Sequence, residues 1–214
     1  MDAAVDNDLI LKAVCYGLAD EFWPEAEVGA LGILGAARYV VADQIKRGAL
    51  NRDDADARSD LEDLLARCEP LEPTEAEVAM AADVELCGQE LGLALDNGES
   101  QLAAITVNRE IPLLETGDKR AIAGLEQVRH HLQAFETLRK RVRCLEQIAL
   151  RLVGDGAAFE RISTAICAER AVDKSLSVCF GCFGSSPAEP ATALEALDQY
   201  VRAVRETASE VLVD

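Results

Sequence analysis

Aromatic side chains are scarce in this chain of 214 residues: five Phe, three Tyr and one Trp, 4% of the total. So small a complement does not support base-specific reading of a single-stranded nucleic acid. With Ala and Leu prominent over Val, Ile and Tyr, it also favours helices over extensive sheet. No apolar run approaches the roughly 18 residues that cross a bilayer. The opening segment MDAAVDNDLI lacks the basic region that begins a secretion signal. A soluble, cytoplasmic protein with no membrane partner is the expectation. Cysteine patterns that hold zinc are thin as well. The seven cysteines (15, 68, 87, 144, 167, 179 and 182) contain one CxxC, from Cys179 to Cys182, with Cys167 or His130 and His131 as the further ligands to hand. Without a second CxxC or a spaced histidine pair, they read as reduced thiols that mostly fill the core.

Acid is abundant. Asp and Glu number 39 against 21 Lys and Arg, a net charge of -18, which by itself opposes nucleic-acid phosphates. The charge is uneven, however. Residues 119–151 hold eight basic side chains (119, 120, 129, 139, 140, 141, 143, 151) against three acids (126, 136, 146), a local +5 that leaves -23 for the remainder.

Periodicity and breakers give the order of elements. Residues 3–5 form a short apolar stretch that reads as a strand, with Asp6 at its C-terminal end and Asp8 at the start of the helix carrying Leu9, Ile10, Ala13 and Val14. Residues 25–46 read as a helix rich in small side chains at 29–37, open to a break near Gly32, where another backbone or a second copy could approach. A polar loop at 51–60 leads into a helix at 61–68, and 69–74 is a proline-punctuated connection. Thr74, three residues before Glu77, has the spacing of a capping box for a helix running to about Glu90. The run 93–95 is too short to read as a strand. Residues 121–153 show apolar positions at threes and fours, the pattern of one long helix with a basic face, closed by Gly154-Asp155-Gly156. A helix at 157–171, an alternating strand at 175–183, a loop at 184–192 and a helix at 192–212 complete the chain. The expected architecture is α/β and helix-rich, with a short central parallel sheet and additional C-terminal helices. Residues 1–153 would form the domain and 154–214 a helical extension packed on it.

Three acids stand at the ends of separate elements: Asp6, Glu99 in the turn Asp96-Asn97-Gly98-Glu99, and Asp118 in Thr116-Gly117-Asp118 after the apolar run 111–114. In open α/β sheets the strand ends border the ligand-binding cleft. Taken singly, the last two are also ordinary helix caps and polar turns. Together they could converge on a hard divalent cation, Mg²⁺ or Mn²⁺, which prefers several carboxylate oxygens and would activate water against a phosphodiester.

The segments AVDNDLI (4–10), LDNGESQLAAIT (95–106) and IPLLETGDKRAI (111–122) resemble, in order and separation, the motifs of PIN-domain nucleases. That resemblance implies a compact PIN-like α/β fold and metal-dependent RNA hydrolysis. It implies Asp6, Glu99 and Asp118 as the catalytic, metal-facing acids. Asp8 stands where the family often has Asn, which leaves open whether Asp6 or Asp8 is the principal ligand, and Asp43 is the acid nearest in position to the family's helical glutamate. Lys119 and Arg120 would flank the cluster, and Arg139, Lys140, Arg141 and Arg143 would contact RNA phosphates, unless that run is simply a solvated helix face. The reading from a different class is a PIN-like module without turnover that binds a protein partner or a second copy of itself.

Overall fold

The computed structural model describes residues 1–24, 29–154 and 158–214. Five strands, β1 (Ala3–Val5), β2 (Leu31–Leu34), β3 (Cys68–Leu71), β4 (Leu114–Thr116) and β5 (Val142–Cys144), form one sheet in the order β3-β2-β1-β4-β5. Every pairing is parallel. The helices are α1 (Asn7–Tyr16), α2 (Ala19–Phe22), α3 (Ala37–Arg47), α4 (Asp54–Arg67), α5 (Glu75–Leu91), α6 (Asn97–Asn108), α7 (Lys119–His131), α8 (Leu145–Gly154), α9 (Phe159–Ala168), α10 (Lys174–Cys179) and α11 (Pro190–Thr207). The protein is thus a helix-rich α/β structure around a short, all-parallel sheet, with further helices after the last strand.

Alternation along β1 distributes the two cores. Ala3 and Val5 pack with α1, α3, α4, α8 and α9 on one face, while Ala4 packs with α5, α6 and α7 on the other. A strand covered on both faces needs apolar residues throughout, so it lacks the polar alternation that identifies a half-exposed strand. β2 illustrates this: its four residues Leu-Gly-Ile-Leu are all buried. The expected helix over 25–46 is therefore corrected to a strand followed by α3, with 25–28 outside the described residues. A Cβ at Gly32 would stand 2.4 Å from Met1 Sδ and 2.9 Å from Leu71 Cδ1, so those side-chain ends would have to shift to admit one.

The long helix expected over 121–153 is also corrected. α7 ends at His131, a 3₁₀ segment spans Gln133–Leu138, Lys140 takes a positive φ of 57°, and β5 precedes α8. The apolar positions 135, 138 and 142 fit helical spacing, but Phe135 and Leu138 belong to the 3₁₀ turn, and Val142 completes the sheet. Of the glycine stop expected at 154–156, residues 155 and 156 lie outside the described residues. β3 contains Pro70 and corrects the connection expected at 69–74; at the sheet edge a proline costs no ladder bond that an inner strand would need. The strand expected at 175–183 is instead α10 and its C-terminal turn, started by Asp173, whose carboxylate accepts from the Leu176 amide at 2.8 Å. Cys182 and Cys167 form a disulfide, correcting the expectation that all cysteines are reduced and removing both from any zinc site.

The capping box at Thr74 and Glu77 is present. After α11 the chain runs beside β5, where Val142 N donates to Val211 O at 2.9 Å and Val213 N to Val142 O at 2.8 Å. Among the described residues, no helix is long and apolar enough to cross a membrane.

Candidate active site

Strand order reverses between β1 and β4, whose following connections turn to opposite sides of the sheet, and a crevice opens at their carboxyl ends. Asp6 follows β1 directly and precedes α1, without capping it through its side chain. Thr116, the last residue of β4, donates from Oγ1 to Asp6 Oδ2 at 3.0 Å. Burial, and next the Asp8 charge, push the Asp6 carboxyl from an ordinary 3.8 to about 6, against the lowering effect of Thr116.

Glu99 enters from α6. Asp96 Oδ1 accepts from the Glu99 amide at 2.8 Å, and Glu99 Oε2 accepts from the Asp96 amide at 2.8 Å, a reciprocal box that fixes both side chains. Burial raises the Glu99 carboxyl to about 7; the Asp96 amide opposes this, and the charges of Asp96, Asp6 and Asp118 reinforce it.

Asp118 caps α7. Its Oδ1 accepts from Arg120 N at 2.7 Å and its Oδ2 from the Arg120 guanidinium at 2.8 Å. Burial pulls its carboxyl up, but the Arg120 side chain, amide and charge together hold it below the usual range. Asp8 is engaged differently. Lys12, one turn later, lies 2.7 Å from Asp8 Oδ2 and 2.9 Å from Asp173 Oδ2. Although burial disfavours its charge, the two carboxylates raise the Lys12 pKa. Gly117 makes this possible, since a Cβ there would come within 2.3 Å of Asp8 Oδ2 and 2.8 Å of Lys12 Nζ.

Asp6, Asp8, Asp96, Glu99 and Asp118 line one cavity of about 440 Å³, together with Lys12, Lys119 and Arg120. Lys119 Nζ is held from behind by the fully buried Glu146 at 2.6 Å and by Ser175 Oγ at 2.9 Å. Of the acids singled out in the sequence, Asp6, Asp8, Glu99 and Asp118 thus come together. Asp43 does not line the cavity and pairs with Arg47 at 2.6 Å on the exposed side of α3. The basic run lies elsewhere too. Arg139 pairs with Glu210 at 2.7 Å, Lys140 with Asp214 at 2.7 Å and Arg143 with Glu115 at 2.9 Å, while Arg141 makes no ion pair among the described residues.

Sequence reasoning missed Asp96, Lys12, Thr116 and Gly117 as site residues. Asp96 was visible as the first acid of the DNGE turn, and Lys12 as a cation four residues after Asp8 on an otherwise apolar face. The donor chemistry of Asp6 and Glu99 suits a hard cation: both are carboxylates, raised first by burial and then by neighbouring acids. Among the described residues no group of three or more His, Cys, Asp or Glu side chains could hold an ion. Mg²⁺ typically takes one or two carboxylates and fills its remaining positions with water and phosphate oxygen, and Asp6 and Glu99, which line the same cavity, are the candidate pair. No family model matches the chain, and no curated protein or solved structure matches it.

Proposed function

We propose that this protein is a divalent-metal-dependent ribonuclease of the PIN-like kind, acting in the cytoplasm. The observation that carries the reading is the meeting of Asp6, Asp96, Glu99 and Asp118 in one cavity at the strand-order reversal, with Asp6 and Glu99 raised to about 6 and about 7. Asp6 and Glu99 would hold Mg²⁺ or Mn²⁺, which when bound supplies a polarised water and positive charge for the phosphate oxygens. The chain's own residues provide the frame. Thr116 orients Asp6, the Asp96 amide orients Glu99, and Lys12 holds Asp8 to one side. Arg120 neutralises Asp118 in the cavity lining, and its largely exposed guanidinium would also meet a phosphate.

The test is hydrolysis of labelled RNA in Mg²⁺, Mn²⁺ and EDTA by the parent, Asp6→Asn and Glu99→Gln. Activity that needs metal and is lost in both variants supports the reading.

One observation favours the second reading, an inactive module that binds a protein partner or a second copy. Asp8 and Asp118 already carry internal counter-ions, Lys12 and Arg120, which lessens the demand for a bound metal. A parent without hydrolysis in any metal would favour it.

A further inference from the structure

Many cations of this acidic molecule have a carboxylate partner. Arg38 on α3 and Arg58 on α4 do not: among the described residues neither forms an ion pair or a side-chain hydrogen bond. They line one cavity of about 550 Å³ between the two helices, floored by Ala42, Leu61 and Leu65. Glu62 lines it as well, which leaves a local charge of +1, two Arg less one Glu, on a chain whose net charge is -18.

Arg38 also borders an adjoining cavity of about 350 Å³, where it stands beside Tyr39. Tyr39 is 76% exposed, more than any other exposed large hydrophobic of the described residues. On the opposite flank of the same helix, Val40 and Gln44 form part of the wall of the acid cavity. α3 is therefore a ridge with carboxylates on one side, unpaired guanidiniums on the other and a bare aromatic ring at its start. Ala36 gives that helix no side-chain cap, so its first amides add a weak preference for anions. Glu72, whose carboxylate packs on Gly35, adds an acid at that end of the helix.

An unpaired guanidinium pair suits phosphate oxygens, and an exposed ring suits the face of a base without regard to its identity. We infer that a single-stranded RNA crosses α3, with a base stacked on Tyr39 and its backbone on Arg38 and Arg58, and so delivers the neighbouring phosphodiester to the acid cavity. The identity of the strand rests on the ribonuclease reading. The surface itself is tested without catalysis.

The experiment is fluorescence anisotropy of a short labelled oligouridylate in EDTA across a range of salt concentrations. It compares the parent, Tyr39→Ala, the double variant Arg38→Ala/Arg58→Ala, and Asp6→Asn. All three surface side chains are exposed, and circular dichroism checks that the variants fold. Binding should weaken about fivefold or more in Tyr39→Ala. The double variant should also weaken, with its log–log salt dependence shallower by about 1.4, or about 0.7 for each lost phosphate contact. Asp6→Asn should bind at least as tightly as the parent. A parent that does not bind, or surface variants that bind like it, would overturn the inference. So would a duplex bound equally well and indifferent to Tyr39→Ala. The two readings separate cleanly. Metal-dependent cleavage unaffected by the surface variants would remove this surface and leave the nuclease, whereas Tyr39-dependent binding without cleavage would do the reverse.

Discussion

Thr116 and Asp6 meet across the β1–β4 pair, hydroxyl to carboxylate at 3.0 Å, at the point where the strand order reverses. The hydroxyl favours the ionised acid in a place where burial and Asp8 disfavour it. Removing the hydroxyl with Thr116→Val should therefore raise the Asp6 pKa beyond about 6, measured by carboxyl chemical shifts on titration. If hydrolysis depends on ionised Asp6, the acidic limb of its pH profile should move to higher pH by the same amount. An unchanged Asp6 titration in the variant would show that the hydroxyl does not stabilise the carboxylate.

Asp6 and Glu99 also make a prediction about stability. Their folded-state values, about 6 and about 7, lie above the ordinary 3.8 and 4.5. The native state then holds more protons than the unfolded state between about pH 4 and 7, so these two groups lower stability as pH rises through that window. Asp6→Asn and Glu99→Gln should each raise the melting temperature at pH 8 in EDTA and leave it nearly unchanged at pH 4. Site acids that destabilise the fold are a common cost of function. Variants less stable than the parent at pH 8 would contradict the electrostatic account.

Glu77 behaves in the opposite sense. It is 1% exposed, and Arg109 donates to both of its oxygens, at 2.7 and 2.8 Å, joining the start of α5 to the end of α6. The Arg109 hydrogen bond is the largest effect, outweighing burial, and the Thr74 amide and Asn108 add to it, holding the Glu77 carboxyl at about 2 instead of 4.5. Its contribution is present above about pH 4.5 and is lost as pH falls towards 2. Arg109→Ala should destabilise the protein by about 2–3 kcal/mol at neutral pH in denaturant melts, because a buried carboxylate is left without its cation. The loss should shrink at low pH.

Gly117 is the position least tolerant of a methyl group near the site. With a Cβ 2.3 Å from Asp8 Oδ2 and 2.8 Å from Lys12 Nζ, Gly117→Ala should displace the ion pair. The expected cost is about 1–3 kcal/mol in denaturant melts, as for other overpacked sites. Wild-type stability in this variant would show that the pair is not held tightly.

Much of the site was legible because caps and strand ends leave local signatures. Asp6 after Ala3–Val5, the DNGE turn and the TGD turn each stand where a short apolar run or helix changes character. β1 and the fold class followed from the same cues. What stayed hidden depends on contacts distant in sequence. β2 and β5 are strands because their neighbours are strands, and Val142 looks helical until it pairs with Leu114. The basic run looked like a phosphate-binding face because Glu210, Asp214 and Glu115, its partners, lie far along the chain or in another strand. Ser175 reaches Lys119 from a segment whose alternation suggests a strand, and Asp173 reaches Lys12 from just before it.

The most direct measurement of the central claim is the rate of RNA hydrolysis by the parent and by Asp6→Asn at one Mn²⁺ concentration, with EDTA as the control. The account predicts metal-dependent cleavage by the parent, abolished by EDTA, and a fall of about a hundredfold or more on loss of the carboxylate. Equal rates in parent and variant, or a parent rate that EDTA leaves unchanged, would contradict it.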